Sequence, residues 1–117
     1  WISRRAVDII QPDTTKNGGL SESRRIALWA YDHNVQFVSH GWNTAVGLAA
    51  DLQLAAAIPA ARYVEYLTPC GYIDDLLDRP FELDADGCLE IPVEPGLGRS
   101  LDPDRLARYT AWERVFR

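Results

Sequence analysis

The sequence predicts an α/β fold built on parallel strands, and three observations carry that prediction. Short, nearly continuous apolar runs recur at 6–10, 35–39 and 62–67, as expected of strands covered on both faces. A segment with helical periodicity separates each run from the next, and the connections are short. The resulting β-α-β-α-β order implies parallel strands, right-handed crossovers and helices packed outside.

Each element has its own signals. "AVDII" (6–10) is β-branched, and "QPDTTKNGG" (11–19) is turn chemistry, with Pro, Asp, Asn and a Gly pair. "LSESRRIALWAYDHN" (20–34) reads as a helix. Ser21 is a candidate N-cap, and Leu20, Ile26, Ala27, Ala30 and Tyr31 can share an apolar face. "VQFVS" (35–39) is a second strand, and Asn43 or Thr44 can cap the helix that runs through "AVGLAADLQLAAAI" to Pro59. "RYVEYL" (62–67) is a third strand. Three strands and two helices leave an apolar sheet edge uncovered, so the chain by itself is expected to associate or stay partly molten.

The texture changes after residue 68. "FELDADGCLEIPVEPGLG" (81–98) predicts two short antiparallel strands around an Asp86-Gly87 turn, then a Pro-Gly loop. "DPDRLARYTAWERVF" (102–116) predicts an amphipathic helix with Asp102 as N-cap and Pro103 at its first position. This tail reads as a closing element rather than another βα unit. Gly96 and Gly98 lack the strand-to-helix context of a dinucleotide site.

Composition narrows the function classes. The 117 residues carry a net charge of -5 and a pI near 4.9, which argues against a nucleic-acid or anionic-membrane partner. No window approaches the roughly 20 apolar residues of a membrane span. The opening "WISRRAVDII" lacks the apolar core of a signal peptide. The sequence contains no Met, so it reads as a fragment or processed chain. Cys70 and Cys88 match no metal-binding spacing and read as two reduced, buried thiols of a cytoplasmic protein.

In parallel α/β folds, functional groups stand at the carboxyl ends of strands. Those ends present Asp13, His40 and Glu65. Singly, each has an ordinary explanation: a turn former, a helix-start partner, a surface carboxylate. Adjacent parallel strands, however, bring Asp13 and His40 side by side, with Glu65 on the next. An acid beside an imidazole fixes its tautomer and favours its charged form, an arrangement suited to moving a proton from carbon or to a leaving group. His33 reads as structural, at a helix C-terminus, and Lys16, the only lysine, as a solvated loop charge.

The "QPD…GG" segment, the 27 positions between Asp13 and His40, the following Glu65 and the late "IP…PGLG" resemble the C-terminal part of the mandelate racemase branch of the enolase superfamily. Within that family, the mandelate racemase/muconate lactonizing enzymes, the resemblance covers nearly the whole chain. It implies the C-terminal part of a (β/α)7β TIM-like barrel plus the C-terminal segment of the capping domain. Residues 7–10, 36–39 and 62–66 would be the sixth, seventh and eighth strands. Residues 1–68 would be barrel units and 69–117 a tail returning to the cap.

The resemblance also implies roles. His40 would be the general acid/base, Asp13 its dyad partner, and Glu65 the acid that hydrogen-bonds the substrate carboxylate. The family abstracts the proton α to a carboxylate, and magnesium stabilises the enediolate. Its metal ligands lie on the third to fifth strands and a lysine base on the second, so Mg2+ would be held by residues upstream, with no metal ligand in this chain. The expected activity is that of the C-terminal portion of an acid-sugar (aldonate or aldarate) dehydratase, a homo-oligomer at full length that acts on a small carboxylate. The alternatives are a racemase, epimerase or cycloisomerase of the same superfamily, or a catalytically incomplete stand-alone fragment. By itself the chain is expected to be inactive.

Overall fold

The parallel ladder begins where the first two apolar runs meet. In a computed structural model that describes residues 1–59 and 61–116, β1 (Ile9–Ile10) pairs in parallel with β2 (Gln36–Phe37), with Ile9 opposite Gln36 and Ile10 opposite Phe37. The regular strands are shorter than the predicted runs 6–10 and 35–39. Their backbone pairing nevertheless continues from Gln36 N to Asp8 O, through Val38 N to Ile10 O, to His40 N and Pro12 O at 3.1 Å. The third predicted strand, 62–67, is reduced to one parallel bridge between Val64 and Ser39.

Two helices pack on this ladder. α1 (Gly19–Asp32) begins after Gly18, which takes a positive φ, and no side chain caps it. Ser21 is therefore not the N-cap: the glycine pair turns the chain into the helix two residues before Ser21 could act. The buried positions of α1 are Ser23, Ala27 and Ala30, whereas Leu20 and Tyr31 are exposed, so its apolar face is narrower than predicted. α2 (Ala45–Ala56) starts after Thr44, again without a side-chain cap, and stops short of Pro59. His33 closes α1, its Nδ1 within 2.9 Å of the Trp29 carbonyl.

α2 serves two cores. Ala45, Leu48, Ala49 and Leu52 join Ile73, Leu76, Leu77 and Phe81, while Leu54 joins Ile2, Ala27, Ala30, Val35, Phe37 and Ile58. A helix apolar on nearly every side is one buried on nearly every side. Its single charged residue, Asp51, is fully buried.

The tail differs from expectation in detail. α3 (Gly71–Asp74), a single turn, was not predicted; Asp74 closes it by accepting from the Cys70 amide at 2.6 Å. The predicted hairpin at 81–98 contracts to one antiparallel bridge, Leu83 to Leu89, because Asp84 binds the turn amides of Asp86 and Cys88 with its own carboxylate. α4 (Pro103–Tyr109) has the expected Asp102 cap, which accepts from the Arg105 amide, but it ends well before 116 and buries nothing. An antiparallel bridge from Leu101 to Leu77 and the Asp102 N to Leu76 O bond tie this segment to the first core. Cys70 is half-buried and Cys88 exposed, so both thiols are free but, contrary to expectation, neither is fully buried; the Asp84 turn carries Cys88 to the surface. Among the described residues no helix is long and apolar enough to cross a membrane.

Two outcomes follow from this packing. Leu48→Ala should lower stability by about 2–5 kcal/mol in chemical denaturation, whereas Val93→Ala, at an exposed position, should stay within about 0.5 kcal/mol. Equal effects would contradict the assignment of the core. With Ile9, Trp42, Tyr63 and Trp112 all exposed, the chain alone should show a light-scattering mass that rises with concentration. A sharp, concentration-independent melt of a monomer would contradict that.

Candidate active site

The last rung of the ladder, His40 N to Pro12 O, leaves Asp13 and His40 at the same level on neighbouring strands. Asp13 is buried, and its Oδ2 lies 3.0 Å from His40 Nδ1. The second carboxylate oxygen accepts from the Thr15 hydroxyl at 2.6 Å, the Thr15 amide at 2.9 Å and Asn43 Nδ2 at 3.3 Å. Lys16 Nζ pairs with Oδ2 as well.

These partners set the charge of Asp13. Burial pushes its carboxyl up, but the bonds from Lys16, Thr15 and His40 outweigh burial and hold it well below the usual carboxylate range. An ionised carboxylate can only accept, so His40 Nδ1 must carry the hydrogen it shares with Asp13. When neutral, the ring is thereby held in the tautomer that leaves Nε2 without a hydrogen. The His40 side chain is 38% exposed, so the ring is partly open to solvent.

Glu65 approaches from the third extended segment. Its Oε2 accepts from the Gly41 amide at 2.8 Å and its Oε1 from Trp42 Nε1 at 3.1 Å. Both bonds fall on the residues that follow His40, so Glu65 anchors the turn carrying the imidazole. A Cβ at position 41 would collide with the Glu65 carbonyl oxygen, which explains the glycine: the two strand ends meet backbone to backbone. The Trp42 ring lies 6.1 Å from the His40 ring, centroid to centroid, and forms an exposed wall beside it.

The structure thus brings Asp13, His40 and Glu65 to one rim. It also places there three residues not foreseen in these roles. Lys16 was read as a solvated charge; it is 65% exposed but reaches back to Asp13. Asn43, one of the two candidate helix caps with Thr44, donates its amide hydrogens to Asp13 and to the His40 carbonyl, and its Oδ1 lies 3.0 Å from the Thr15 hydroxyl. The absence of a Cβ at Gly47 makes room for it. The "DTTKN" run did carry the signal for Thr15 and Lys16: an Asp followed at two and three residues by donors can gather them in a turn.

A divalent cation finds no ready ligand set here. Among the described residues no three His, Cys, Asp or Glu side chains converge in a way that could hold one. The Asp13 oxygens are occupied by Lys16, Thr15, Asn43 and His40, and both Glu65 oxygens by Gly41 and Trp42. The residues present do not fit a magnesium site.

Comparison with known proteins agrees with this architecture. The enolase C-terminal domain-like family matches residues 1–105. A D-xylonate dehydratase from Haloferax volcanii is 40% identical over 104 residues, covering 88% of this chain and 25% of that protein. A D-galactarolactone cycloisomerase from Agrobacterium fabrum is 38% identical over 117 residues, covering 92% and 31%. Among solved structures, a member of the enolase superfamily from a Polaromonas species superposes with a TM-score of 0.81 at 32% identity, over 95% of this chain and 30% of that one. The chain therefore spans only about a third or less of the length of each of these relatives. With its paired strand ends, its flanking helices and this match over residues 1–105, the chain belongs to the enolase C-terminal domain-like family, among the mandelate racemase/muconate lactonizing enzymes of the enolase superfamily.

Proposed function

We propose that this chain is the C-terminal portion of an acid-sugar dehydratase acting on an aldonate or aldarate, with residues 1–68 completing its barrel and 69–117 returning to its capping domain. The carrying observation is the His40 Nδ1–Asp13 Oδ2 contact of 3.0 Å at the ends of two paired parallel strands. The similarity to a protein named D-xylonate dehydratase supports the substrate class.

The chemistry assigned to this chain is proton transfer. His40 Nε2 serves as the acid/base: it takes the proton from the carbon α to the substrate carboxylate, or returns one to the departing β-hydroxyl, which leaves as water. The remaining enol tautomerises to a 2-keto-3-deoxy acid. Asp13 holds the tautomer and offsets the imidazolium charge. Glu65 is assigned to the substrate carboxylate, to which it would donate as the protonated acid, since two carboxylates can only accept. A carbon acid next to a carboxylate also needs cationic stabilisation of its second negative charge. The magnesium expected from the family has no ligand set among the described residues, and its ligands are assigned to earlier strands of the barrel.

A second reading is racemisation, epimerisation or cycloisomerisation with the same dyad. It is favoured by the similarity to a protein named D-galactarolactone cycloisomerase.

The deciding experiment incubates the full-length protein and magnesium with a panel of aldonates and aldarates in deuterated water. Keto-acid formation that falls by about 10²–10⁴-fold in His40→Asn fits the dehydratase. His40-dependent exchange of the α-proton without keto acid moves the assignment to the second reading. Neither signal with any acid overturns both. The ionisation of Asp13 is checked separately. Because folding depresses its value, the stability conferred by its partners is present above its ordinary value of 3.8 and is lost as the pH falls below that. Asp13→Asn should flatten the acid limb of the stability profile; an unchanged limb would contradict an ionised Asp13.

A further inference from the structure

α2 carries one ionisable side chain, and it is placed where a charge would be most costly. Asp51 is 0% exposed, and an unpaired buried carboxylate is strongly disfavoured. Its Oδ1 accepts two hydroxyl hydrogens, from Thr14 at 2.7 Å and from Ser39 at 2.5 Å. Thr14 directly follows Asp13, and Ser39 directly precedes His40. One oxygen of one side chain on α2 therefore holds both backbone segments that present the dyad. Its other oxygen, Oδ2, has no hydrogen-bond partner among the described residues; the carboxyl borders a small space lined by Phe37, Ala55, Ile58 and Val64.

We infer that Asp51 is a positioning residue of this site: through Thr14 and Ser39 it fixes the separation and orientation of Asp13 and His40 without touching the substrate. Packing alone would be served better by a leucine, since replacing a buried charge with an apolar side chain of similar size is often neutral or stabilising. The Asp51 contacts instead bridge two strand ends 25 residues apart at Thr14 and Ser39, and each reaches the residue adjoining a dyad member. Burial raises the Asp51 carboxyl above its ordinary value while the Ser39 and Thr14 hydroxyls lower it, with burial prevailing; this marks a group kept at some cost to stability. The inference rests on the proposed proton-transfer role of His40 for its effect on rate, but not for its effect on geometry.

The test compares Asp51→Leu and Asp51→Asn in the full-length enzyme. Asn keeps an oxygen that accepts both hydroxyls, whereas Leu keeps only volume. Leu should lower kcat by about tenfold or more with KM within about twofold, the size expected from two lost bonds that act on orientation rather than binding. Asn should recover kcat to within about threefold. In parallel, the hydrogen-bonded Nδ1–H proton of His40 should be visible by NMR in the wild type and in Asp51→Asn, and lost to exchange in Asp51→Leu. An Asp51→Leu enzyme with unchanged kcat and an intact Nδ1–H signal overturns the inference, whatever its melting temperature. If Asp51→Leu does not fold, Thr14→Val and Ser39→Ala each remove one leg of the clamp. Faster exchange of the Nδ1–H proton in either supports the inference, and unchanged exchange in both overturns it. Should the wild type turn over no acid at all, the functional proposal fails while the NMR signal still decides the clamp.

Discussion

The Asp13 carboxylate is the constraint around which this rim is arranged. It is buried and surrounded by donors: an ammonium, a hydroxyl, a backbone amide, a side-chain amide and an imidazole all converge on its two oxygens. Each donor comes from a segment with its own reason to be there. Thr15 and Lys16 belong to the turn that leaves β1, Asn43 to the entry of α2, and His40 to the end of β2. A carboxylate so supplied stays charged, and a charged carboxylate permits only one tautomer of its histidine neighbour. The acid/base chemistry assigned to His40 depends on that single electrostatic fact.

The rest of the fold serves to hold those segments together. Backbone pairing carried past the regular strands to Pro12 and His40 sets the level at which Asp13 and the imidazole meet. Glu65 ties the third segment to the residues after His40, and the missing Cβ of Gly41 lets the two backbones touch. From the helix layer, Asp51 grips the residues beside both dyad members. The site is therefore bound in from three sides, and α2, by filling two cores, gives that grip a rigid base.

Much of this was legible in the sequence because it rests on strong local signals. The apolar runs at 6–10 and 35–39 located the ladder, and their carboxyl ends located Asp13 and His40. The features without a local signal depend on tertiary neighbours. Ser21 looked like a helix cap, but the helix had already begun after Gly18, whose positive φ turned the chain first. Asn43 looked like a cap for the same local reason, and only the approach of β1 reveals its amide on Asp13. Asp51, in an Ala- and Leu-rich helix, gave no periodic signal that it faced inward, since nearly every face of α2 is apolar. The run 62–67 reads as a full strand, yet only Val64 pairs, because a strand is defined by its neighbours as much as by its own side chains.

The claim that most of the account depends on is the tautomer of His40, and it can be observed directly. The sequence contains only two histidines, so nitrogen-15 NMR of the imidazole rings in the full-length protein resolves the question without substrate. The account predicts that, in the neutral His40 ring, Nδ1 carries the proton and Nε2 does not, with the preference lost in Asp13→Asn. A His40 ring protonated on Nε2 alone, or one indifferent to Asp13→Asn, would contradict it.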